Sequence, residues 1–122
     1  MCGIAGIINF KKNFVTYKEY NRLIVKEMAL SLAHRGPDDS GEWIGEHAAF
    51  SHVRLSVIDP ERAKQPMVRV SQGHEFVITY NGELYNTDEL RADLKKHGYE
   101  FTTTSDTEVL LYAYIHYGEE CV

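Results

Sequence analysis

The sequence has few cysteines and no recognisable arrangement of metal ligands. Its two cysteines, Cys2 and Cys121, stand at opposite ends of the 122 residues, so neither a disulfide framework nor a C-x-x-C redox motif is expected. The six histidines show no H-x-x-x-H spacing, and we expect no metal site. A redox or metal module built on the two cysteines is therefore poorly supported.

The sequence also lacks a basic cluster and a long apolar run. The net charge is −5, and nucleic acid is not an expected partner because phosphate binding needs a concentrated positive surface. No apolar stretch approaches the roughly 20 residues that cross a bilayer, so no membrane partner is expected. The apolar start "GIAGIINF" is short and has no basic region before it, which argues against a signal peptide. We therefore expect a cytoplasmic protein with reduced thiols.

The length suits one domain spanning residues 1–122, and 43% hydrophobic residues are enough for one core. Strand-like and helix-like stretches alternate without a regular β-α-β rhythm, which predicts the α+β class. Residues 3–10 predict a buried strand, and "EWI" and "AAFSHVRLSVID" predict two more. In the last of these, Arg54 is expected on the face opposite Val53 and Leu55.

A hairpin and three helices complete the prediction. "MVRVSQGHEFVITY" indicates a hairpin that turns at Gln72 and Gly73, and its second strand is apolar on both faces, as in a layered structure. A short further strand is expected at "YEFTTT". Each helix begins with a capping pair three residues apart: Thr16 with Glu19, Asn86 with Glu89, and Ser105 with Glu108. The buried face of the first helix is predicted to hold Leu23, Ile24, Met28 and Leu32.

The cysteine that directly follows Met1 admits two interpretations. Cys2 can be a small buried residue at the start of a strand. If Met1 is removed, as a small second residue usually allows, Cys2 carries both a thiol and a free α-amine. An α-amine of ordinary pKa, roughly 7.7–8.0, is partly neutral in the cell and can accept the thiol proton. That arrangement is an N-terminal nucleophile with its own base.

The stretch "YNGELYN" also has two interpretations. Asn81 followed by Gly82 is a strong signal for a type I′ hairpin turn, but the following residues enter a helix within a few positions. The alternative is an oxyanion hole, in which the Asn81 amide and the Gly82 backbone N–H are donors to a developing negative charge.

Two charged residues suggest recognition of an amino acid. Arg54 can be a solvated strand residue, or its planar guanidinium can bind a carboxylate in bidentate fashion. Asp106 can simply favour the start of a helix through the helix dipole, or it can bind an ammonium group. Together with Cys2, Asn81 and Gly82, these residues describe a site that holds an α-amino acid by both ends and attacks a carbonyl on its side chain.

Six motifs in order carry a resemblance to a known family. These are "MCGIAG", "AHRGPDDSGEW", "HVRLSVIDP", "QPM", "YNGELYN" and "SDTEVLLYAY". Together they resemble the class II glutamine amidotransferase domain, which is of the N-terminal-nucleophile type. The forms "RGPDDSG" and "RLSVIDP" look most like those of glutamine-hydrolysing asparagine synthetases. The resemblance extends from Cys2 to about Gly118.

The resemblance implies a role for each matching residue. Cys2 is the expected nucleophile, and Asn81 and Gly82 form the expected oxyanion hole. The expected glutamine-binding residues are Arg54 for the α-carboxylate, Asp106 for the α-ammonium, and Leu55, Ser56, Val57, Ile58, Asn81, Gly82 and Glu83 around them. The implied reaction is hydrolysis of the glutamine side-chain amide through a cysteine thioester, which yields glutamate and ammonia.

The resemblance also implies a fold and partners. The family fold is a four-layer sandwich of two antiparallel sheets between helices, and further strands would follow the "SDTE" helix, so the chain is expected to be an incomplete domain. Glutamine is the expected substrate, and the ammonia is passed to a synthetase domain that converts aspartate to asparagine. ATP and magnesium are expected only in that domain, with no cofactor in this segment. Because the missing strands would leave sheet edges open or core faces uncovered, a homo-oligomer is expected.

Two other functions stay open at this point. The chain can be a folded but catalytically impaired module that binds glutamine or self-associates. It can also be the amidotransferase domain of another ammonia-using enzyme.

Overall fold

A computed structural model describes residues 2–55 and 63–121. In these ranges it has five strands and three α-helices. In chain order they are β1 (Gly3–Ile8), α1 (Lys18–Ser31), β2 (Asp39–Ile44), β3 (Ala48–Arg54), β4 (Met67–Ser71), β5 (His74–Ile78), α2 (Thr87–Lys96) and α3 (Asp106–Tyr117). Two antiparallel sheets and the helices packed against them make the α+β class that the sequence predicts.

The first sheet has the strand order β1-β3-β2. Because neighbouring strands are antiparallel, the start of β1, the end of β3 and the start of β2 lie at the same edge of the sheet. Gly3 pairs with Val53 at the start of β1, and Asp39 pairs with Arg54 at the start of β2. Helix α1 packs against this sheet. Consequently Cys2, which precedes β1, and Arg54, which ends β3, lie at the same edge.

The central strand β3 is buried on both faces along its second half, where Ser51, His52, Val53 and Arg54 are at most 7% exposed. The prediction that the strand continues through Leu55 is wrong, because β3 ends at Arg54, and Leu55 beyond it is 40% exposed. The two-sided burial expected for β5 is also wrong. Its first two residues are exposed and the rest only half-buried, since β5 belongs to a two-stranded ribbon with α3 on one side.

The second sheet is the β4–β5 hairpin, and its turn at Gln72 and Gly73 is confirmed. Both residues have positive φ, 49° and 78°, as a type I′ turn requires. Helix α3 covers the hairpin through a cluster of buried apolar residues that consists of Ala63, Met67 and Leu111. A second cluster, Leu94, Val109 and Ala113, joins α2 to α3.

Helix α1 departs from its predicted start and face. Its N-cap position is Tyr17, and no side chain caps it. The capping pair of Thr16 with Glu19 is therefore wrong, and Glu19 instead accepts a hydrogen bond from Arg22. The buried face is centred on Val25 and Ala29, one residue along from the predicted stripe, and Leu23 is 54% exposed.

The other two capping pairs mark the correct helix starts, but only one of their N-cap side chains makes a capping hydrogen bond. Asn86 is the N-cap of α2, but its side chain makes no capping hydrogen bond. Ser105 caps α3 and its hydroxyl oxygen accepts the backbone N–H of Thr107 at 3.1 Å. Glu108 does not return to Ser105, because its carboxylate is used by the segment before α3.

That same carboxylate explains why no strand forms at "YEFTTT". The backbone N–H groups of Thr102 and Thr103 both donate to Glu108, at 3.1 and 2.7 Å. Backbone donors engaged in this way are not available to a neighbouring strand. The segment is an irregular loop that leads into Asp106 at the start of α3.

Candidate active site

A cavity of about 560 Å³ lies where the N-terminus, the end of β3, the end of β5 and the start of α3 meet. A volume of this size is within the range of small-molecule sites. The predicted site residues that line it are Cys2, Arg54, Leu55, Asn81, Gly82, Glu83 and Asp106. Ser56, Val57 and Ile58 lie outside the described residues.

Cys2 is fixed through its backbone from two directions. Its carbonyl oxygen accepts a hydrogen bond from the Asn81 side-chain amide at 3.1 Å and another from Arg35 Nε at 3.2 Å. The Cys2 thiol is half-buried and faces the Leu55 carbonyl oxygen at 3.9 Å. Sequence reasoning missed Arg35, although it lies within the motif "AHRGPDDSGEW". That arginine follows a helix and precedes a glycine, and such a position gives no sign of a contact with the N-terminus.

Asn81 and Gly82 lie in the loop that connects β5 to α2. The type I′ hairpin interpretation is wrong, because no strand follows the pair before α2 begins at Thr87. The Asn81 amide nitrogen has two hydrogens, and the bond to Cys2 uses only one of them. At Gly82, a Cβ would come within 2.7 Å of the Tyr80 hydroxyl oxygen, so a side chain there would displace the tyrosine.

Arg54 is a buried residue, 7% exposed, and the interpretation as a solvated strand residue is wrong. Its backbone carbonyl accepts the Asp38 N–H at 3.0 Å. Gly36 lies so close that a Cβ would come within 2.4 Å of the Arg54 nitrogen. The glycine of the "RGPDD" motif therefore provides the space that lets the loop before β2 pack against the end of β3.

Asp106 begins α3 and also contacts the loop that carries Asn81. Its Oδ2 accepts the backbone N–H of Leu84 at 3.1 Å. A carboxylate at a helix N-terminus is stabilised by the helix dipole, so this role and ligand binding are compatible. Arg91 of α2 supports the same region by donating to the carbonyl oxygens of Thr103 and Ser105, at 3.0 and 3.2 Å.

The cavity has an acidic side. Burial, followed by the negative charges of Asp106 and Glu83, raises the pKa of Tyr80 above its usual value. Arg54 supplies a cation to the same cavity. A ligand with separated positive and negative groups would match both charges.

Glu108 is the most deeply buried carboxylate near the site, with 0% exposure. It accepts hydrogen bonds from Arg69 Nη2 at 2.6 Å and from Thr102 and Thr103. Burial raises the pKa of Glu108, but the bonds from Arg69 and Thr103 outweigh that effect and the net pKa is lowered. The sequence pattern suggested a cap for this residue, whereas the structure uses it to hold the loop that precedes Asp106.

Within residues 2–55 and 63–121, no three or more histidine, cysteine, aspartate or glutamate side chains come together as metal ligands would. In the same part of the chain, each helix is too short or too polar to traverse a bilayer.

Comparison with known proteins gives a consistent result. The model of the family described as "Glutamine amidotransferase domain" matches residues 1–122. The chain is 48% identical over its whole length to asparagine synthetase (glutamine-hydrolyzing) 3 of Bacillus subtilis (strain 168). It is 42% identical over 98% of its length to asparagine synthetase (glutamine-hydrolyzing) 1 of the same organism. It is 42% identical over its whole length to asparagine synthetase (glutamine-hydrolyzing) of Zea mays.

These relatives are much longer than the sequence compared with them. The match covers 19%, 18% and 20% of the three relatives, so the chain spans about a fifth of their length.

Proposed function

The chain belongs to the glutamine amidotransferase domain family, and from this premise we propose that it is the glutamine-hydrolysing part of an asparagine synthetase. The observation that carries the proposal is the grouping of Cys2, Asn81, Arg54 and Asp106 around one cavity. These residues come from four separate parts of the sequence, and each has the chemistry that glutamine hydrolysis needs.

The substrate would be held by its two charged ends. Arg54 would bind the α-carboxylate of glutamine, and Asp106 would bind the α-ammonium, with Glu83 and Leu55 on the walls. The proposed set of glutamine-binding residues also includes Ser56, Val57 and Ile58. The side-chain amide of glutamine would then point toward Cys2.

The reaction would be acyl transfer to the thiol. The α-amine that Met1 removal exposes takes the proton of the Cys2 thiol, and the sulfur attacks the amide carbon of glutamine. The oxyanion that forms accepts hydrogen bonds from the second Asn81 amide hydrogen and from the Gly82 backbone N–H. The α-amine returns its proton to the departing ammonia, and water hydrolyses the thioester to give glutamate and free Cys2.

The fold proposal is more specific than the α+β class. We propose the four-layer arrangement of N-terminal-nucleophile enzymes, supported by two antiparallel sheets with α1 on one and α3 on the other. The names of the relatives support asparagine synthesis as the use of the ammonia. ATP and magnesium would act in a synthetase domain, and no role in this segment is proposed for either.

The test uses the full-length gene product and two activities. Cys2→Ala should abolish glutamine-dependent formation of glutamate and asparagine, whereas asparagine formation from added ammonia, aspartate and ATP should persist. Cys121→Ala is the matched control and should retain both activities. Unchanged glutamine hydrolysis in Cys2→Ala would overturn the mechanism. Glutamine binding without hydrolysis in the wild type would favour a catalytically impaired module instead.

A further inference from the structure

The glutamine of the "QPM" motif has no part in the mechanism above, yet it lines the cavity. The Gln65 side chain makes two hydrogen bonds in opposite directions. Its Oε1 accepts the backbone N–H of Tyr80 at 2.5 Å, and its Nε2 donates to the hydroxyl oxygen of Thr107 at 3.3 Å.

The two hydrogen-bond partners of Gln65 are sequence neighbours of proposed site residues. Tyr80 directly precedes Asn81, the proposed oxyanion donor, and Thr107 directly follows Asp106, the proposed ammonium ligand. One carboxamide therefore spans the two walls of the cavity. The bond from Leu84 to Asp106 is a second link between the same walls, three positions after Asn81 in the sequence.

The backbone of Gln65 is itself fixed against the first sheet. A Cβ at Gly41 of β2 would lie 2.2 Å from the Gln65 carbonyl oxygen. Such a contact leaves no room for a side chain, which accounts for the glycine in "SGEW". Gln65 thus contacts the sheet that carries Arg54, the loop that carries Asn81, and the helix that carries Asp106.

We propose that Gln65 is a positioning residue for glutamine hydrolysis, which holds the oxyanion loop and the ammonium-binding end of α3 at a fixed separation. This inference rests on the proposed function. The carboxamide suits the role because it accepts and donates at once, whereas methionine of similar length has no donor and only a weakly accepting sulfur. Because a misplacement of about 1 Å costs roughly 10²-fold in rate, loss of both bonds should lower kcat/KM by roughly 10- to 100-fold.

Two variants separate the two bonds. Gln65→Met removes both, and it should lower kcat and raise KM for glutamine. Thr107→Val removes only the bond to α3, and it should mainly raise KM, since Tyr80 keeps its partner. The double variant should have about the same kcat/KM as Gln65→Met alone, because Thr107→Val breaks a bond that Gln65→Met has already removed. Thr16→Val makes the same chemical change as Thr107→Val at an exposed position before α1 and should match the wild type.

A second readout reports binding without turnover. Iodoacetamide alkylates the Cys2 thiol, and glutamine should protect it in the wild type. In Gln65→Met the glutamine concentration that protects should rise by about the same factor as KM, with the rate of alkylation in the absence of glutamine unchanged. All measurements use the full-length protein, with melting temperatures recorded for every variant.

The outcomes are distinct. The inference is overturned if Gln65→Met keeps kcat, KM and protection within about twofold of the wild type, or if the double variant is worse by the product of the two single effects. If Gln65→Met does not fold, Thr107→Val decides: a raised KM supports the inference and an unchanged KM overturns it. A wild-type protein without hydrolysis or protection overturns the proposed function and this inference together.

Discussion

The side-chain amide of Asn81 donates a hydrogen bond to the backbone carbonyl of Cys2, although 79 positions of sequence separate the two residues. The bond brings the proposed oxyanion donor to the proposed nucleophile. It also leaves one amide hydrogen of Asn81 for a substrate. Fixed donors of this kind stabilise a developing charge without having to reorganise during the reaction.

The first prediction concerns that amide. Asn81→Asp replaces the donating nitrogen by a carboxylate oxygen of similar size, and it should lower kcat for glutamine hydrolysis by roughly 10²- to 10³-fold. Asn21→Asp is the control, since the Asn21 amide donates to the Phe14 carbonyl and neither residue lines the cavity. Steady-state glutamate release measures both. A kcat within threefold of the wild type in Asn81→Asp would remove Asn81 from the oxyanion hole.

The second prediction concerns the charged ends of the substrate. Arg54→Lys keeps the charge but loses the planar fork, and Asp106→Asn keeps the shape but loses the charge. Each should raise KM for glutamine by roughly 10-fold or more, because a charge-assisted bond contributes about 1.5–3 kcal/mol. Asp88→Asn, in the first turn of α2, is the matched control for Asp106. If both site variants keep the wild-type KM, the assigned pocket is incorrect.

The third prediction concerns maturation. The proposed base is the α-amine of Cys2, and it is free only after Met1 is removed. Intact-mass analysis of active protein should therefore show the loss of one methionine. A variant that retains one extra residue before Cys2 should release no glutamate from glutamine. Wild-type turnover in that variant would exclude the α-amine as the base.

A site residue could be predicted from the sequence where its role shows in a local motif, and could not where its role depends on a contact with a distant segment of the chain. Four residues belong to local motifs that indicate their chemistry: Cys2, Arg54, Asn81 and Asp106. The structure brings all four to one cavity. Arg35, Gln65 and Gly41 act through contacts with segments far away in the sequence, and no local pattern indicates such contacts. Glu108 was misinterpreted for a similar reason, since a local capping pattern competed with a buried network that includes Arg69.

The fold shows the same division. The β4–β5 hairpin was predictable because its turn needs particular residues at two positions. The burial of β3 was not, because it depends on which elements cover each face. Arg54 follows an alternating pattern that suggests exposure, yet the loop at Gly36 packs over the end of the strand.

The fourth prediction concerns Glu108. Glu108→Gln removes the charge that balances Arg69, whose side chain is 21% exposed, so the variant should lose about 3 kcal/mol of stability. Glu27→Gln on the exposed face of α1 is the control. Because the pKa of Glu108 is lowered in the folded state, its contribution is present above its ordinary pKa and is lost as pH falls through the lowered value. Urea denaturation at pH 7 measures the difference, and an unchanged free energy of unfolding would contradict it.

The last prediction concerns His52, which is 1% exposed and is hydrogen-bonded to Thr79 through Nδ1 at 2.8 Å. Burial, and then the nearby charge of Arg54, lower the pKa of His52 from 6.5 to about 4. Between pH 6.5 and about 4, His52 is therefore protonated in the unfolded chain but neutral in the folded chain. The free energy of unfolding should fall as the pH drops through this range. At 1.36 kcal/mol per pKa unit, the full loss is on the order of 3 kcal/mol.

His52→Asn, which retains a polar group near Thr79, should be less stable at pH 7 but should show a flatter dependence of stability on pH over this window. His74→Asn, at an exposed position, should keep the wild-type slope. Urea denaturation across the pH series gives the slopes, and equal slopes for wild type and His52→Asn would show that His52 is not the titrating group.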